Sequence, residues 1–352
     1  MTSSGFERAR LGVWLAITLA GAVIGYLYIS VAYPPSPESG TSAWLGVVIG
    51  MLIGASTAAF ELFFVSHPYS AMRRFSFIPA FLFRVLAQFA LISLSIALVQ
   101  IAHDWIWNSS LFDLSGQGVI DHLKDVSFSL VVSAVVVFYM QMRLYLGGTT
   151  LSKLVLGVYN NPVAQDRIFL ILDIPGTTSA AQQIGDTRFH RYISQLFILF
   201  DPAIVRNGGE IHTYVGDAVI AVWPLSTNPR RNSRVLKALA QVLRTCRANE
   251  SRIEALFGIK PGVRAAIHAG NVVVGETGYS KRQITYLGDV MNIASRIESK
   301  TKELERPFLI SRPALDAMEM IPDFRAEPAG FHAVKGSRSK VELFELKAEP
   351  AV

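Results

Sequence analysis

Two aspartates 44 residues apart have surroundings suited to chemistry: Asp173 closes the apolar run IFLILD and is followed by IPGTTS, and Asp217 lies in EIHTYVGDAVIAVW. The first context reads as a buried strand running into a helix start. The second reads as two strands, Glu210 to Tyr214 and Val219 to Trp223, joined by a tight turn. Carboxylates at two adjacent strand ends, with no third acid or histidine beside either, suit Mg²⁺ better than zinc. Magnesium takes few protein carboxylates and completes its shell with water and phosphate oxygens. Taken separately each has a plainer role, Asp173 as a helix cap and Asp217 as a turn residue. Further along, Asn292 and Arg296 stand four apart in GDVMNIASRIESKTKELE. On a helix they share a face, where an amide and a guanidinium can hold a ribose and an anionic transition state, or simply line a solvated surface.

These residues need elements to hold them. After Asp173, apolar positions at Ile184, Phe189, Tyr192, Ile193 and Leu196 predict a helix that Asn207, Gly208 and Gly209 stop. Pro229 to Leu256 reads as one long helix, and Gly262 to His268 as a strand whose following AGNVVVGETG turns in a close hairpin. A strand over Gln283 to Leu287 feeds a helix beginning near Asp289, with Ile293, Ala294 and Ile297 as its apolar face.

The chain as a whole is too oily for a soluble protein: 51% of its 352 residues are hydrophobic and the mean hydropathy is +0.36. The apolar residues concentrate before about residue 145. Four runs are long enough for a crossing, Leu11 to Ala32, Trp44 to Val65, Ile78 to Ile101 and Val126 to Met142. The first is long for a signal peptide and is expected to remain as a helix. Arg8, Arg10, Arg73, Arg74, Arg143 and Lys153 flank one side of the runs, so both ends are expected in the cytoplasm of a multi-pass protein of the inner (plasma) membrane, in contact with lipid. Glu61 and Arg84 fall inside runs at matched depth, either snorkelling separately or forming a pair. His103, Asp104, Asp121 and His122 beside the long external loop are a candidate metal set or ordinary loop caps. Cys246 is the only cysteine, which excludes an intrachain disulfide. The net charge of +6 is modest and scattered, so nucleic acid is not expected as a partner.

From Phe169 to about Leu346 the chain resembles the class III nucleotidyl cyclases, the adenylate and guanylate cyclases. The likeness is carried by DIPGTT, YVGDAVIAVW, VRAAIHAGNVVVGETG, YLGDVMNIASRIES and FHAVKGSRSKVELFEL, in that order. It is closer still to bacterial members with a small membrane domain before one cyclase domain. The four apolar runs predict a four-helix membrane domain over residues 1–142 and the segment 143–166 reads as a helical linker, while the resemblance implies an α+β ferredoxin-like catalytic domain over 167–348. It implies conversion of ATP to 3′,5′-cyclic AMP and pyrophosphate, with Asp173, Asp217 and the Ile174 carbonyl holding two Mg²⁺ or Mn²⁺ ions. It further assigns the transition state to Arg296, the ribose to Asn292 and the terminal phosphates to Lys335. In the family the metal aspartates come from one chain and the Asn and Arg from its partner, so a head-to-tail homodimer is expected.

The pattern departs at the base. Where the family has an adenine-selecting lysine this chain has Thr213, beside His212, and where it commonly has aspartate this chain has Thr285. Each threonine both donates and accepts, so the pair declares neither adenine nor guanine. A guanylate or relaxed cyclase, and a silent cyclase-like receptor, are the alternatives. The linker segment TLSKLVLGVYN has helical spacing at Leu151, Leu154, Val155 and Val158 that suits a partner helix.

Overall fold

The computed structural model describes residues 4–32, 43–65, 76–107, 116–146, 157–159, 161–280, 282–333 and 340–349. The chain divides into two compact units, Met1–Tyr145 and Leu146–Val352.

The first unit holds helices α1 (Ser4–Ala32), α2 (Ala43–Ala59, continued by a π-helical turn over Phe60–Val65), α3 (Phe77–Trp107) and α4 (Gly116–Leu146). Among the described residues three helices are long and apolar enough to cross a membrane, over Leu11–Ala32, Trp44–Leu62 and Ile78–Ala102. The fourth expected crossing lies inside α4 and is not one of these three. Its uncharged stretch Val126 to Met142 rises only about 26 Å, against the ~30 Å of a hydrocarbon core.

Glycines bring α1 and α2 into backbone contact. A Cβ on Gly25 would stand 2.1 Å from the Gly46 carbonyl oxygen, and one on Gly50 2.1 Å from that of Gly21. Small residues permit such an approach, and in lipid close packing of this kind is a main source of helix association. Glu61 and Arg84 do not snorkel apart: both are buried, with Arg84 Nη1 3.8 Å from Glu61 Oε2, and the same nitrogen lies 3.5 Å from Gln141 Oε1. The side chains of His103, Asp104, Asp121 and His122 lie outside the described residues, as do Leu151, Leu154 and Val155 of the linker. Val158 sits in a turn.

The second unit begins with β1 (Val163–Asp173), then α5 (Thr177–Ile184), α6 (Asp186–Arg206), β2 (Glu210–Val215) and β3 (Ala218–Pro224). Three helical pieces follow, α7 (Pro229–Asn232), α8 (Arg234–Ala248) and α9 (Glu250–Phe257). The single helix expected here is therefore broken at Ser233 and Asn249. The Ser233 hydroxyl bonds the Pro229 and Glu319 carbonyls, and the Asn249 amide bonds the Thr245 carbonyl, side-chain bonds that compete with a continuous helical ladder. Then come β4 (Arg264–Thr277), β5 (Gln283–Leu287), α10 (Asp289–Glu303), β6 (Phe308–Ser311), α11 (Arg312–Asp316), β7 (Phe324–His332) and β8 (Val341–Ala348).

The sheet order is β2-β3-β1-β4-β6-β8-β7, with β5 paired to β4. Its first four strands, all antiparallel, form the β-α-β-β-α-β arrangement of the ferredoxin-like fold. Alternation along β1 builds the two layers. Ile168, Leu170 and Leu172 face Tyr192, Leu196 and Phe200 of α6 and Leu236 and Leu239 of α8. Phe169 and Ile171 face Val290, Ala294 and Ile297 of α10. Each such side chain is worth about 1.5–3 kcal/mol when fully buried, so β1 is fixed from both sides and with it the position of Asp173.

The hairpin expected from AGNVVVGETG closes at the end of that segment rather than within it: β4 continues to Thr277 and turns back into β5, with Thr277 paired to Gln283. Gly270 lies inside the strand and supplies room for Val290, whose Cγ2 would stand 2.8 Å from an added Cβ. That glycine serves a close approach of α10 rather than a turn.

Candidate active site

β1 ends at Asp173, which in the sheet register lies between Ala218, the first residue of β3, and Arg264, the first of β4. The β2–β3 connection is a two-residue turn, Gly216 and Asp217, with Gly216 at φ 59. Positive φ at the first turn position is what a type II′ hairpin asks of glycine. Both aspartates therefore stand at one end of the sheet, as expected from the sequence. Gly176, in the left-handed region at φ 72, turns the chain from β1 into α5. The first residue of that helix, Thr177, donates its hydroxyl to Asp217 Oδ2, tying the two carboxylate-bearing segments together. Ile174 is fully buried.

Asp173 is only 2% exposed and meets two cations. Arg264 donates to its Oδ2 from Nη2 at 2.8 Å and from Nε at 3.2 Å, and Lys302 Nζ stands 3.4 Å from the same oxygen. Lys302 also lies 3.2 Å from Glu298, one helical turn earlier on α10. Burial and the nearby Asp173 raise the pKa of Glu298, against the pull of Lys302. Burial lowers the Lys302 pKa, but its bond to Glu298 and the Asp173 charge outweigh that and hold the ammonium charged. Arg264 and Lys302 thus already match the buried Asp173 carboxylate, and the Asp217 carboxylate stands at the same sheet end. The donor set fits a divalent ion of the magnesium type, which needs few carboxylates. Among the described residues no group of three or more His, Cys, Asp or Glu comes together.

Arg264, Lys302 and Glu298 went unnoticed in the sequence. Their signal was weak: Arg264 opens the VRAAIH strand, and Glu298 and Lys302 stand four apart in ESKTKE.

Asn292 and Arg296 lie on the solvent side of α10, opposite its buried Val290, Ala294 and Ile297. They share a face, as their spacing requires. The structure does not bring them to Asp173 of the same chain: from Asn292 to Lys302 the helix rises about 15 Å, and it is the Lys302 end that touches the carboxylate.

The threonines assigned to the base lie on elements that meet. Thr213 is half-buried on β2, directly after a bulge between Ile211 and Thr213 that leaves His212 unpaired in the ladder. Thr285 on β5 shares a hydrogen bond of 3.2 Å with Thr277. Their neighbours touch: the His212 ring packs edge-on against Tyr286 with centroids 4.7 Å apart, and Tyr286 packs edge-on against Phe169 at 5.6 Å. Burial lowers the His212 pKa despite Glu210, so the ring presents itself neutral, and burial pushes the Tyr286 hydroxyl up to about 12. The His212 ring thus lies between the strands that carry Thr213 and Thr285, where a bulge can re-aim a side chain. Lys335 lies outside the described residues.

The chain is 33% identical over 230 residues to adenylate cyclase 2 of Rhizobium meliloti (strain 1021), covering 65% of this chain and 63% of the relative. It is 28% identical over 183 residues to an adenylate cyclase of Anabaena cylindrica, covering 51% of this chain and 36% of the relative. The chain thus spans less than two thirds of the length of these curated relatives. In fold it is similar to a solved bacterial light-regulated adenylyl cyclase, with a TM-score of 0.54 and 17% identity over 63% of this chain and 64% of that one. The model of the adenylate and guanylate cyclase catalytic domain matches residues 163–348, more than half of the 352, and the chain belongs to that family.

Proposed function

We propose that the protein is a membrane-anchored adenylate cyclase that converts ATP to 3′,5′-cyclic AMP and pyrophosphate, acting as a head-to-tail homodimer. The observation that carries this reading is the pair Asp173 and Asp217 at one sheet end, while Asn292 and Arg296 stand exposed on the far part of α10. Half of a site at each of two places on one chain becomes two whole sites when two chains meet.

Asp173 and Asp217, with the Ile174 carbonyl, would hold Mg²⁺ or Mn²⁺. Bound there, the ions lower the pKa of the ribose 3′-hydroxyl and neutralise the triphosphate. The remaining work belongs to side chains. Thr177 holds the Asp217 carboxylate in orientation. Arg264 and Lys302 bind the Asp173 carboxylate and hold it at the strand end. Asn292 of one chain orients the ribose and Arg296 meets the charge that develops at the α-phosphate, a planar donor suited to phosphate oxygens. Lys335 would meet the terminal phosphates. Four membrane crossings, with α4 as the fourth, place the catalytic unit and both ends of the chain in the cytoplasm.

The adenylate assignment draws support from the curated names of similar proteins. Thr213 and Thr285 favour a second reading, relaxed use of ATP and GTP, because neither threonine discriminates donor from acceptor.

The test is cyclic nucleotide production by the full chain in nanodiscs, supplied with ATP or GTP and Mg²⁺ or Mn²⁺, beside Asp217→Ala. Cyclic AMP from the parent and at least about a hundredfold less from the variant supports the reading. Cyclic GMP as the main product reverses the base assignment, and silence with both nucleotides leaves a cyclase-like receptor.

A further inference from the structure

The net charge of +6, expected to be scattered, belongs to one surface of the second unit. Pro229–Ala248 carries six of the 33 Lys and Arg and none of the 27 Asp and Glu, so the rest of the chain balances at 27 of each sign. This segment is α7, Ser233 and α8. Val235, Leu236, Leu239 and Val242 of α8 join the core layer with α6. The residues of α8 left exposed are Arg234, Lys237, Arg244, Arg247 and Ala248. From Arg234 to Arg247 the helix rises about 20 Å. Arg230 and Arg231, both exposed, extend the row over α7.

Two of these six cations are matched, Arg230 by Glu319 at 2.9 Å and Arg244 by Asp323. Arg231, Arg234, Lys237 and Arg247 form no ion pair among the described residues. Arg234 with Lys237 and Arg244 with Arg247 are like charges three apart, an arrangement that weakens a helix and that a facing anionic surface relieves. The joint between the helices is held by buried polar groups: Asn232 donates to the Ser226 and Ala317 carbonyls, and Ser233 to that of Glu319. The row of charge therefore stands on a fixed frame. Among the described residues Pro229–Ala248 exposes no large apolar or aromatic side chain.

We propose that this basic face docks on the anionic headgroups of the membrane that holds the chain. Clusters of Lys and Arg beside membrane segments are drawn to anionic lipid. The candidate spans of the first unit tether the second to such a surface and raise its effective concentration there. With no Leu, Phe or Trp exposed on it, the face rests on headgroups without inserting. The same lack of aromatic side chains removes the platforms on which single-stranded nucleic acid stacks. Lipid charge and salt therefore control the contact. The proposal needs membrane attachment but not cyclase activity, and its test reads neither nucleotide nor product.

The experiment places a fluorophore at Ala248→Cys, in a Cys246→Ala background, on the full chain in nanodiscs whose headgroups carry a nitroxide quencher. Recovery of the chain in the discs checks the attachment separately. Quenching is expected in discs of phosphatidylcholine with phosphatidylglycerol and not in phosphatidylcholine alone, and it should vanish at high salt. Arg234→Gln combined with Lys237→Gln should lower the ratio of docked to free about 25-fold, roughly fivefold for each cation lost. Arg282→Gln combined with Arg325→Gln removes the same charge from the β4–β5 connection and β7 and should leave the quenching as it is. Equal quenching in the two lipid mixtures would overturn the proposal, as would an equal loss in the two double variants. A fluorophore that responds to a DNA duplex and not to phosphatidylglycerol would assign the face to nucleic acid instead.

Discussion

Arg264 faces Asp173 across the β1–β4 register and sends two donors, Nη2 at 2.8 Å and Nε at 3.2 Å, to a single oxygen of its carboxylate. The contact joins the first residue of one central strand to the last of the next. It makes Asp173 a structural anchor as well as the candidate metal ligand, and the two aspartates should therefore fail differently.

Asp173→Ala strands two cations beside a buried site, and it should lower stability by about 1–3 kcal/mol, less than for a wholly dry pair because Arg264 keeps some contact with water. Asp217→Ala removes a turn carboxylate held by one hydroxyl and should cost under about 1 kcal/mol. Both should lose cyclase activity. Thermal unfolding of the two variants, side by side, checks the contrast; equal melting points would remove the anchoring role of Asp173.

His268 supplies a pH dependence. It is buried on β4, with Nδ1 2.7 Å from the Ser311 hydroxyl, and burial lowers its pKa from 6.5 to about 4. The unfolded chain then binds the proton more readily than the folded one. Stability from this group is complete above about pH 6.5 and is lost as pH falls toward 4, by roughly 3 kcal/mol in total. Melting measured between pH 7 and pH 5 should fall more steeply in the parent than in His268→Gln.

The glycine seam between α1 and α2 tolerates no side chain. Gly50→Val, on α2, places a Cβ 2.1 Å from a backbone oxygen of α1, whereas Gly12, on α1, has nothing within 4 Å of its added Cβ. Gly50→Val should therefore separate the two helices and make the membrane unit susceptible to protease, while Gly12→Val should resist like the parent. Overpacking of this kind costs about 1–3 kcal/mol or more.

Glu61 and Arg84 form a buried pair, and removing one member leaves the other charge unmatched. Arg84→Met should lower the yield of folded protein sharply, since breaking such a pair costs about 3–5 kcal/mol. The double change Glu61→Gln with Arg84→Met should recover most of that loss. A double variant no better than the single one would show that the two side chains are not coupled.

At the base, Thr213→Lys combined with Thr285→Asp restores the residues that the family commonly carries at these positions. The ratio of kcat/KM for ATP over GTP should rise about tenfold, the worth of roughly 1.4 kcal/mol of added discrimination. No change in that ratio would mean that the base is read elsewhere, with His212 the first residue to test.

How much of this was readable in the chain depended on distance along it. Asp173 and Asp217 were legible because a strand end and a tight turn are local patterns. The face shared by Asn292 and Arg296 followed from helical periodicity alone. Arg264 was not legible, because its place opposite Asp173 is set by strand register over 91 residues, which the pairing of whole strands decides. Gly270 misled for a related reason: a glycine kept for the approach of Val290 looks, in sequence, like a glycine kept for a turn. Local hydroxyl and amide bonds at Ser233 and Asn249 divided what periodicity read as one helix.

The length of β4 has a last consequence. Its first residue, Arg264, pairs with Asp173, and its Gly275 pairs with Thr285. Eleven residues of strand separate the two. In the proposed homodimer, each chain would offer its metal end to one site and its α10 face to the other. In the assembly proposed above, dilution with lipid should lower turnover per chain, and two dead variants, Asp217→Ala and Arg296→Ala, should regain one working site when they share a membrane.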